Sequence, residues 1–289
     1  MAENNYNTTG VWPENDTPLN SYLIKTLDDH WRLCFKSAAV YVVAIFSGQW
    51  LMKRYTRFGL SNLLALWSGA LAIFSILGSL RMVPHLFNTV RYEGFHASVC
   101  ESGWMDLPVI QFWTSLFSIS KIIELGDTVF IVLRKQPLIF LHWYHHITVL
   151  IYTWYSYTDR TSSGRWYIAM NYAVHSVMYS YYALRALKYR APEWVRMAIT
   201  LFQLSQMVVG VYIGFYVHGV KKAGTPCDIT DDNRFYSFLM YLSYFLLFMK
   251  FFYDAYINPA RCPAKPATNG VGNGANGHSL SNGQAKKLE

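Results

Sequence analysis

The sequence predicts an all-α, polytopic membrane protein with seven transmembrane helices. Of its 289 residues, 53 % are hydrophobic and only 15 % are charged, against roughly 25 % charged residues in soluble domains. Four stretches contain no Asp, Glu, Lys or Arg, and each is near or above the ~18 residues that mark a membrane-spanning helix. Four such stretches are hard to enclose in one soluble core, which disfavours a soluble helical protein. The apolar and aromatic content also excludes a disordered chain.

Seven segments are predicted to span the membrane because they contain few or no charged residues. In chain order they are 37–52, 58–80, 109–133, 136–158, 166–184, 197–220 and 235–249. The second, fourth, fifth and sixth are the four uncharged stretches, and the third is apolar except for three charged residues. The first and last are short runs that span if Lys36 and Lys250 extend to the interface. Prolines, which disrupt helix interiors, are expected between or beyond the spans: Pro84, Pro108, Pro137, Pro192, Pro226 and Pro259.

Basic residues fall in alternate connections and predict the orientation of the chain. The positive-inside rule places these connections in the cytosol: Lys53, Arg54, Arg57, Arg134, Lys135, Lys188, Arg190, Arg261, Lys265, Lys286 and Lys287. Residues 1–33 are then a lumenal segment, 34–258 the seven-helix transmembrane domain, and 259–289 a flexible cytosolic tail rich in Gly, Asn and Ala. The final Lys286-Lys287 resembles the dilysine retrieval signal of endoplasmic reticulum membrane proteins, which predicts that membrane as the location.

Two further features agree with a lumenal N-terminus. Asn7 and Asn15 each begin a glycosylation sequon, and such sequons are used only on the lumenal side. Cys100 and Cys227 fall in the connections after the second and sixth spans, where the predicted lumenal side permits oxidation. We therefore expect a Cys100–Cys227 disulfide, with two unrelated free thiols as the alternative, and we expect the other two cysteines to stay reduced.

Polar side chains form one layer across four predicted spans. At about 1.5 Å per residue they lie roughly 9–18 Å from the cytosolic helix ends: Lys121, Glu124, Asp127, His145, His175, Gln203 and Gln206. Further polar residues accompany them on the same helices: His142, His146, Asn171 and Tyr179. Because ionisable groups inside a membrane are costly, they indicate functional sites by default. The layer predicts one shared site that opens to the cytosol.

Two other interpretations of this layer stay open at this stage. A network of His, Asn and Gln side chains can simply hold membrane helices together. Imidazole is also a common metal ligand, and one zinc ion could bind His142, His145, His146 and His175. Membrane desaturases and hydroxylases share the HxxHH pattern but need about eight histidines for two irons, and four in one layer are too few. The favoured prediction contains no metal.

Four blocks in these spans resemble the signature blocks of the very-long-chain fatty acid elongases. They are Lys121-x-x-Glu124-x-x-Asp127-Thr128, His142-x-x-His145-His146, His175-x-x-Met178-Tyr179-x-Tyr181-Tyr182 and Thr200-x-x-Gln203-x-x-Gln206. All four occur in the family's order and spacing. The residues around the second and third blocks look most like the animal branch that elongates saturated and monounsaturated long-chain acyl-CoA, the palmitate-elongating type. Four blocks together are far more specific than HxxHH alone.

The resemblance implies a very-long-chain 3-oxoacyl-CoA synthase. Such an enzyme condenses malonyl-CoA with a long-chain acyl-CoA, releases carbon dioxide and CoA, and uses no cofactor beyond these two substrates. Six of the seven helices would surround an acyl-chain tunnel that is closed at the lumenal end. The expected partners are endoplasmic reticulum lipids and the ketoacyl reductase, 3-hydroxyacyl dehydratase and enoyl reductase of the elongation cycle. A homodimer is left open, and no nucleic acid is expected.

The predicted roles follow from the need for a nucleophile. Because no Cys lies in the polar layer, a histidine is the candidate that carries the acyl group. The resemblance favours His145 over His142 for this role. His175 and Asn171 would polarise the thioester or orient malonate, and His142 and His146 would position the other imidazoles.

The remaining candidates are predicted to bind substrate. Near the reacting groups they are Lys121, Glu124, Asp127, Tyr179, Gln203 and Gln206. At the cytosolic mouth, Arg134 and Lys135 are candidates for the CoA phosphates. A non-catalytic acyl-lipid transporter or receptor and a metal-dependent desaturase or hydroxylase are the competing functions.

Overall fold

The computed structural model describes residues 18–258, which contain ten α-helices and no β-strand. The helices are α1 (Pro18–His30), α2 (Leu33–Met52), α3 (Ser61–Tyr92), α4 (Gly94–Cys100), α5 (Pro108–Ile123), α6 (Gly126–Leu133), α7 (Phe140–Thr158), α8 (Gly164–Ala186), α9 (Glu193–Lys222) and α10 (Asp231–Phe252). The all-α class is therefore confirmed. The predicted glycosylation sites Asn7 and Asn15, Cys262 and the dilysine pair lie outside the described residues.

Four of these helical segments are long and apolar enough to cross a membrane, namely Leu33–Met52, Ser61–Tyr92, Glu193–Lys222 and Asp231–Ile257. The outward faces of α2 and α3 carry exposed large apolar side chains, as lipid contact requires: Val40, Val43, Phe46, Leu66, Ile73 and Leu80. The count of seven spans stays a prediction, because α5, α7 and α8 do not meet the same standard of length and apolarity.

Six helices contact one another in a closed order. Helix α3 packs against α5, α5 against α7, α7 against α10, α10 against α9, α9 against α8, and α8 against α3. Helix α2 is not part of this closed order and packs chiefly against α6 and α7. The arrangement agrees with six helices surrounding an interior space, and it identifies the first predicted span as the one outside.

Helix α3 runs through Pro84, where the sequence predicts an interruption. Proline lacks the N–H that would bond the preceding turn, and membrane helices tolerate it where neighbouring helices stabilise the backbone. Helix α3 has such support along its length, because it packs closely against α8. The prediction that all the prolines lie outside helices is wrong at this position.

The third predicted span is broken into α5 and α6 at Glu124 and Leu125. Around the break the backbone hydrogen bonds tighten to three-residue spacing, with Leu125 N–H bonded to Ile122 O and Asp127 N–H to Glu124 O. Gly126 follows at once, and a Cβ there would overlap the Trp67 ring on α3. The prediction of one continuous helix over 109–133 is wrong, because contact with α3 shapes this turn.

A second close approach joins α3 to α8 at Gly78. A Cβ on Gly78 would overlap the ring of Tyr172, which is fully buried and held by the hydrogen bond from its hydroxyl to Trp113 O at 2.9 Å.

We expect Gly78→Ala to lower the free energy of unfolding by about 1–3 kcal/mol, since overpacking forces the Tyr172 ring to move. Thermal unfolding in detergent measures the change. Gly69→Ala on the same helix meets no atom within 4 Å and should be neutral or slightly stabilising; equal losses in both variants would contradict the packing argument.

The connections after α4 and α9 are tied together. Cys100 and Cys227, the predicted pair, form a disulfide across 127 residues of chain. Asp228 N–H donates to Cys100 O at 2.8 Å, and Ser162 N–H donates to Asp228 O at 3.1 Å. Three connections at this end of the helices therefore form one assembly, while Cys34 is buried and unpaired.

Replacing both disulfide cysteines by serine is expected to lower the free energy of unfolding by about 2–4 kcal/mol, because the bond restricts a long loop of the unfolded chain. Melting curves with and without reductant measure the effect. Reductant should destabilise the wild-type protein and leave the double variant unchanged. A wild-type curve insensitive to reductant under unfolding conditions would show that the two cysteines are unlinked in the protein.

Candidate active site

A cavity lies inside the ring of six helices. Helices α5, α7, α8, α9 and α10 line it. At one end it reaches His145, Asn171 and Gln206, and at the other it reaches Trp104 and Thr161, beside the disulfide assembly. None of its lining residues is Asp, Glu, Lys or Arg. A channel with polar groups at one end and apolar and hydroxyl-bearing walls can hold a long apolar ligand by its reactive end.

Helix α7 supplies three of the four predicted histidines. His142 and His146, four residues apart, share one helix face, and their ring centroids are 4.4 Å apart. His145 faces the cavity, with its ring 5.0 Å from Tyr244 of α10 and 5.5 Å from His146. Of these three imidazoles, only that of His145 lines the space that a ligand would occupy.

Hydrogen bonds hold the flanking imidazole of His142. Its Nε2 lies 2.9 Å from Thr128 Oγ1, and that hydroxyl lies 2.7 Å from the hydroxyl of Tyr41. His146 is buried, and its Nδ1 has no hydrogen-bond partner among the described residues. The contacts of His142 run outward to α6 and α2, which suits a positioning role.

The fourth histidine belongs to a buried network between α5 and α8. Lys121 Nζ donates to both Glu124 carboxylate oxygens, at 2.8 and 3.1 Å, and to Asn171 Oδ1 at 2.9 Å. Asn171 Nδ2 lies 3.1 Å from His175 Nε2, and His175 Nδ1 lies 3.7 Å from Glu124 Oε2. All four side chains are buried. The charges of Lys121 and Glu124 thus compensate each other, as burial requires.

This network defines the protonation pattern of His175. A lysine ammonium can only donate, so the atom of Asn171 that faces Lys121 is its oxygen. The amide nitrogen, which also only donates, then faces His175 Nε2 and makes that nitrogen an acceptor. In a neutral imidazole the proton is consequently on Nδ1, toward Glu124. Lys121 therefore acts on His175 through Asn171.

Asp127 belongs to a separate cluster because of the turn between α5 and α6. Its carboxylate accepts hydrogen bonds from Tyr179 Oη at 2.6 Å and from Trp67 Nε1 at 2.7 Å. The sequence predicts Lys121, Glu124 and Asp127 on one helix face, whereas in the structure Asp127 is separated from the other two. All three contact other protein side chains, and none of them lines the cavity, so substrate binding by them stays a prediction.

The other predicted residues differ in position. Gln206 lines the cavity, whereas Gln203 donates to Met178 Sδ at 3.2 Å and Tyr179 bonds Asp127. Arg134 and Lys135 follow α6, and Lys135 lines a surface hollow with Lys53, away from the cavity. Their role toward CoA stays a prediction.

Three site residues were missed from the sequence. Trp67 gives no polar signal on an uncharged span. Ser120 donates to Glu124 Oε1 at 3.0 Å, next to a residue that the charge pattern does single out. Tyr244, which contacts His145 and lies 2.6 Å from Thr148 Oγ1, shares a helix face with the buried Tyr241 three residues before it. That spacing is the signal that could have found it.

Within residues 18–258, no three His, Cys, Asp or Glu side chains are grouped so that they could hold a metal ion together.

Comparison with known proteins agrees with the four sequence blocks. The family model described as GNS1/SUR4 matches residues 26–264. Very long chain fatty acid elongase 6 of Drosophila melanogaster is 50 % identical over 238 residues, which cover 81 % of this chain and 75 % of that protein. The human protein of the same name is 46 % identical over 242 residues, covering 84 % and 91 % of the two chains. Human very long chain fatty acid elongase 3 is 41 % identical over 246 residues, covering 84 % and 91 %. By the length of the family match and the extent of these identities, the chain belongs to the ELO family.

Proposed function

We propose that this protein is a 3-oxoacyl-CoA synthase, which condenses malonyl-CoA with a long-chain acyl-CoA. The single observation that carries the proposal is the position of His145 at one end of the cavity, beside Asn171 and Gln206. A reactive imidazole there would meet the thioester of a chain that lies along the cavity. The relatives named as very long chain fatty acid elongases support the same reaction class.

In the first half-reaction, a nitrogen of the neutral His145 imidazole attacks the thioester carbonyl carbon. A C–N bond forms, the C–S bond breaks, and CoA leaves as the thiolate. The acyl group is then held as an acyl-imidazole whose second ring nitrogen keeps its proton, so that the ring is released as neutral imidazole in the next step. The cavity wall supports this step by aligning the chain, which turns an intermolecular encounter into a reaction within one complex. Tyr244 packs against the attacking ring and limits its rotation.

In the second half-reaction, malonyl-CoA loses carbon dioxide as the C–C bond to its free carboxylate breaks. The electron pair of that bond stays on the remaining fragment, which becomes an enolate. The enolate carbon attacks the acyl carbonyl, the C–N bond to His145 breaks, and the 3-oxoacyl-CoA product leaves. Amide N–H groups of Asn171 and Gln206, which line the cavity with His145, are the proposed donors to the negatively charged oxygens. His175, oriented by Asn171, Lys121 and Glu124, is the second candidate for this stabilisation.

The remaining predictions follow from the same proposal. The substrates are saturated and monounsaturated long-chain acyl-CoA, and Arg134 and Lys135 bind the CoA phosphates. The protein lies in the endoplasmic reticulum membrane with its N-terminus in the lumen and its C-terminus in the cytosol. Its product passes to a ketoacyl reductase, then to a 3-hydroxyacyl dehydratase and an enoyl reductase.

The test is release of carbon dioxide by purified protein in liposomes. Malonyl-CoA labelled at its free carboxyl group is supplied with and without palmitoyl-CoA. Release of label that depends on palmitoyl-CoA, together with a 3-oxoacyl-CoA product two carbons longer, supports condensation. Binding or movement of palmitoyl-CoA across the membrane without any release of label would support a lipid transporter and reject the synthase.

A further inference from the structure

The far end of the cavity lies beside the disulfide assembly, where the lining residues Trp104 and Thr161 are buried. His145, Val149, Tyr152, Ser156 and Tyr157 follow one another along its α7 wall, so the wall from His145 to Tyr157 is about 18 Å long at 1.5 Å per residue. Beyond it the chain turns at Arg160, whose φ is 46°, and then reaches Thr161. Trp104 Nε1 donates to Ser162 O at 3.1 Å and fixes this corner.

Hydroxyl groups along the cavity wall already have partners. Thr114 Oγ1 donates to Ile110 O at 2.8 Å, and Ser118 Oγ donates to Thr114 O at 3.0 Å. The Tyr157 hydroxyl lies 2.9 Å from Ser115 Oγ. Because these hydroxyl groups already form hydrogen bonds within the protein, they need no partner from an apolar chain in the cavity.

Thr161 differs from them. It lines the cavity and is only 2 % exposed, yet its Oγ1 has no hydrogen-bond partner among the described residues. A buried hydroxyl without a partner is unfavourable, and such groups in proteins are nearly always satisfied. A ligand that ends in a hydrogen-bonding group would supply the missing partner at this position.

We infer that this far end of the cavity binds a hydroxyl group at the ω end of the acyl chain, so that the protein elongates ω-hydroxyacyl-CoA. A hydroxyl can both donate to and accept from Thr161. A methyl end leaves Thr161 unpaired, and sites that hydrogen-bond a substrate hydroxyl discriminate against the analogue that lacks it. An ω-carboxylate is disfavoured because no cationic side chain lines the cavity, and a buried charge needs one.

This inference rests on the proposed condensation and leaves the chemistry at His145 unchanged. The ω-hydroxyl is not a reactant. The acyl carbon forms a bond to the enolate of malonyl-CoA, its C–S bond breaks, and carbon dioxide and CoA leave. The product is a 3-oxo-ω-hydroxyacyl-CoA two carbons longer. The hydroxyl acts only as an anchor at the other end of the chain, and only for chain lengths that reach Thr161.

The test compares ω-hydroxyacyl-CoA with methyl-ended acyl-CoA of equal length, across a series of lengths, with full-length protein in liposomes. We expect the ratio of the two kcat/KM values to peak at one length. At that length Thr161→Val should lower the ratio by about two- to tenfold, the effect of one hydrogen bond, and Thr161→Ser should largely preserve it. Thr158→Val is the matched control, because that hydroxyl donates to Tyr155 O at 2.9 Å and lies outside the cavity.

The outcomes separate the two proposals. A wild-type ratio that shows no peak at any length overturns this inference without reference to any variant. An equal ratio in wild-type protein and Thr161→Val overturns it too, as does a preference for ω-carboxyacyl-CoA. If neither kind of acyl-CoA is elongated at any length, the proposed condensation itself fails.

Discussion

Replacing His145 by alanine is expected to lower kcat/KM for condensation by roughly 10⁴-fold, the scale of losing a reacting group. Its imidazole is the only one on α7 that lines the cavity, so no neighbouring histidine reaches the same carbonyl carbon. Release of labelled carbon dioxide measures the rate. Intact-protein mass spectrometry with acyl-CoA alone should show one added acyl group on the wild-type protein and none on the variant.

His218→Gln is the control for this experiment. His218 is exposed near the end of α9 and contacts Arg234, so the variant should keep both the adduct and the rate. An acyl group found on a different residue, or full activity without any adduct, would reject the acyl-imidazole. Full activity in His145→Ala would reject the proposed site as a whole.

Replacing Lys121 by methionine is expected to affect both stability and rate. The change leaves the Glu124 carboxylate buried without its cation, which lowers the free energy of unfolding by about 3–5 kcal/mol. It also removes the donor that directs Asn171 toward His175. Misplacement of such a group lowers the rate by roughly 10²-fold. Thermal unfolding and kcat measure the two effects separately.

The double variant Lys121→Met with Glu124→Gln distinguishes the two effects. Removing both charges should restore most of the stability, because no unpaired ion remains, while kcat stays low. Lys250→Met is the matched control, since Lys250 forms an exposed pair with Asp254 one turn away and such pairs contribute about 1 kcal/mol or less. Recovery of kcat in the double variant would mean that Lys121 only balances Glu124.

The sequence predicts the helices well because their signals are local. A charge-free stretch of sufficient length favours a membrane helix wherever it occurs. The predicted spans correspond to helices α2 to α10, apart from the short helix α4. The histidine and glutamine spacings also placed His145, Asn171 and Gln206 on helix faces that meet in one cavity. Two local predictions are wrong, at Pro84 and at the turn after Ile123, and at both positions a neighbouring helix contacts the chain.

The site is predicted less completely than the helices, because the type of a residue does not show which other side chain it contacts. Lys121, Glu124 and Asp127 look like one group on a helical wheel. Only the turn at Gly126, which needs the Trp67 ring of α3 beside it, directs Asp127 to another cluster. Trp67 and Tyr244 carry no charge and are unremarkable in an aromatic-rich chain. Contacts between distant segments gave them their roles.

By itself the sequence determined the all-α membrane class, the polar layer and the family, because hydrophobic length, helical period and motif order are properties of short segments. Tertiary structure alone decided which helix lies outside the ring, where the cavity ends, and that Asn171 joins Lys121 to His175. Those features depend on contacts between distant residues, such as the hydrogen bond between Lys121 and Asn171, which are 50 residues apart in the chain. They also depend on the buried amide of Asn171, which satisfies both of its neighbours in only one orientation. No local pattern contains that information.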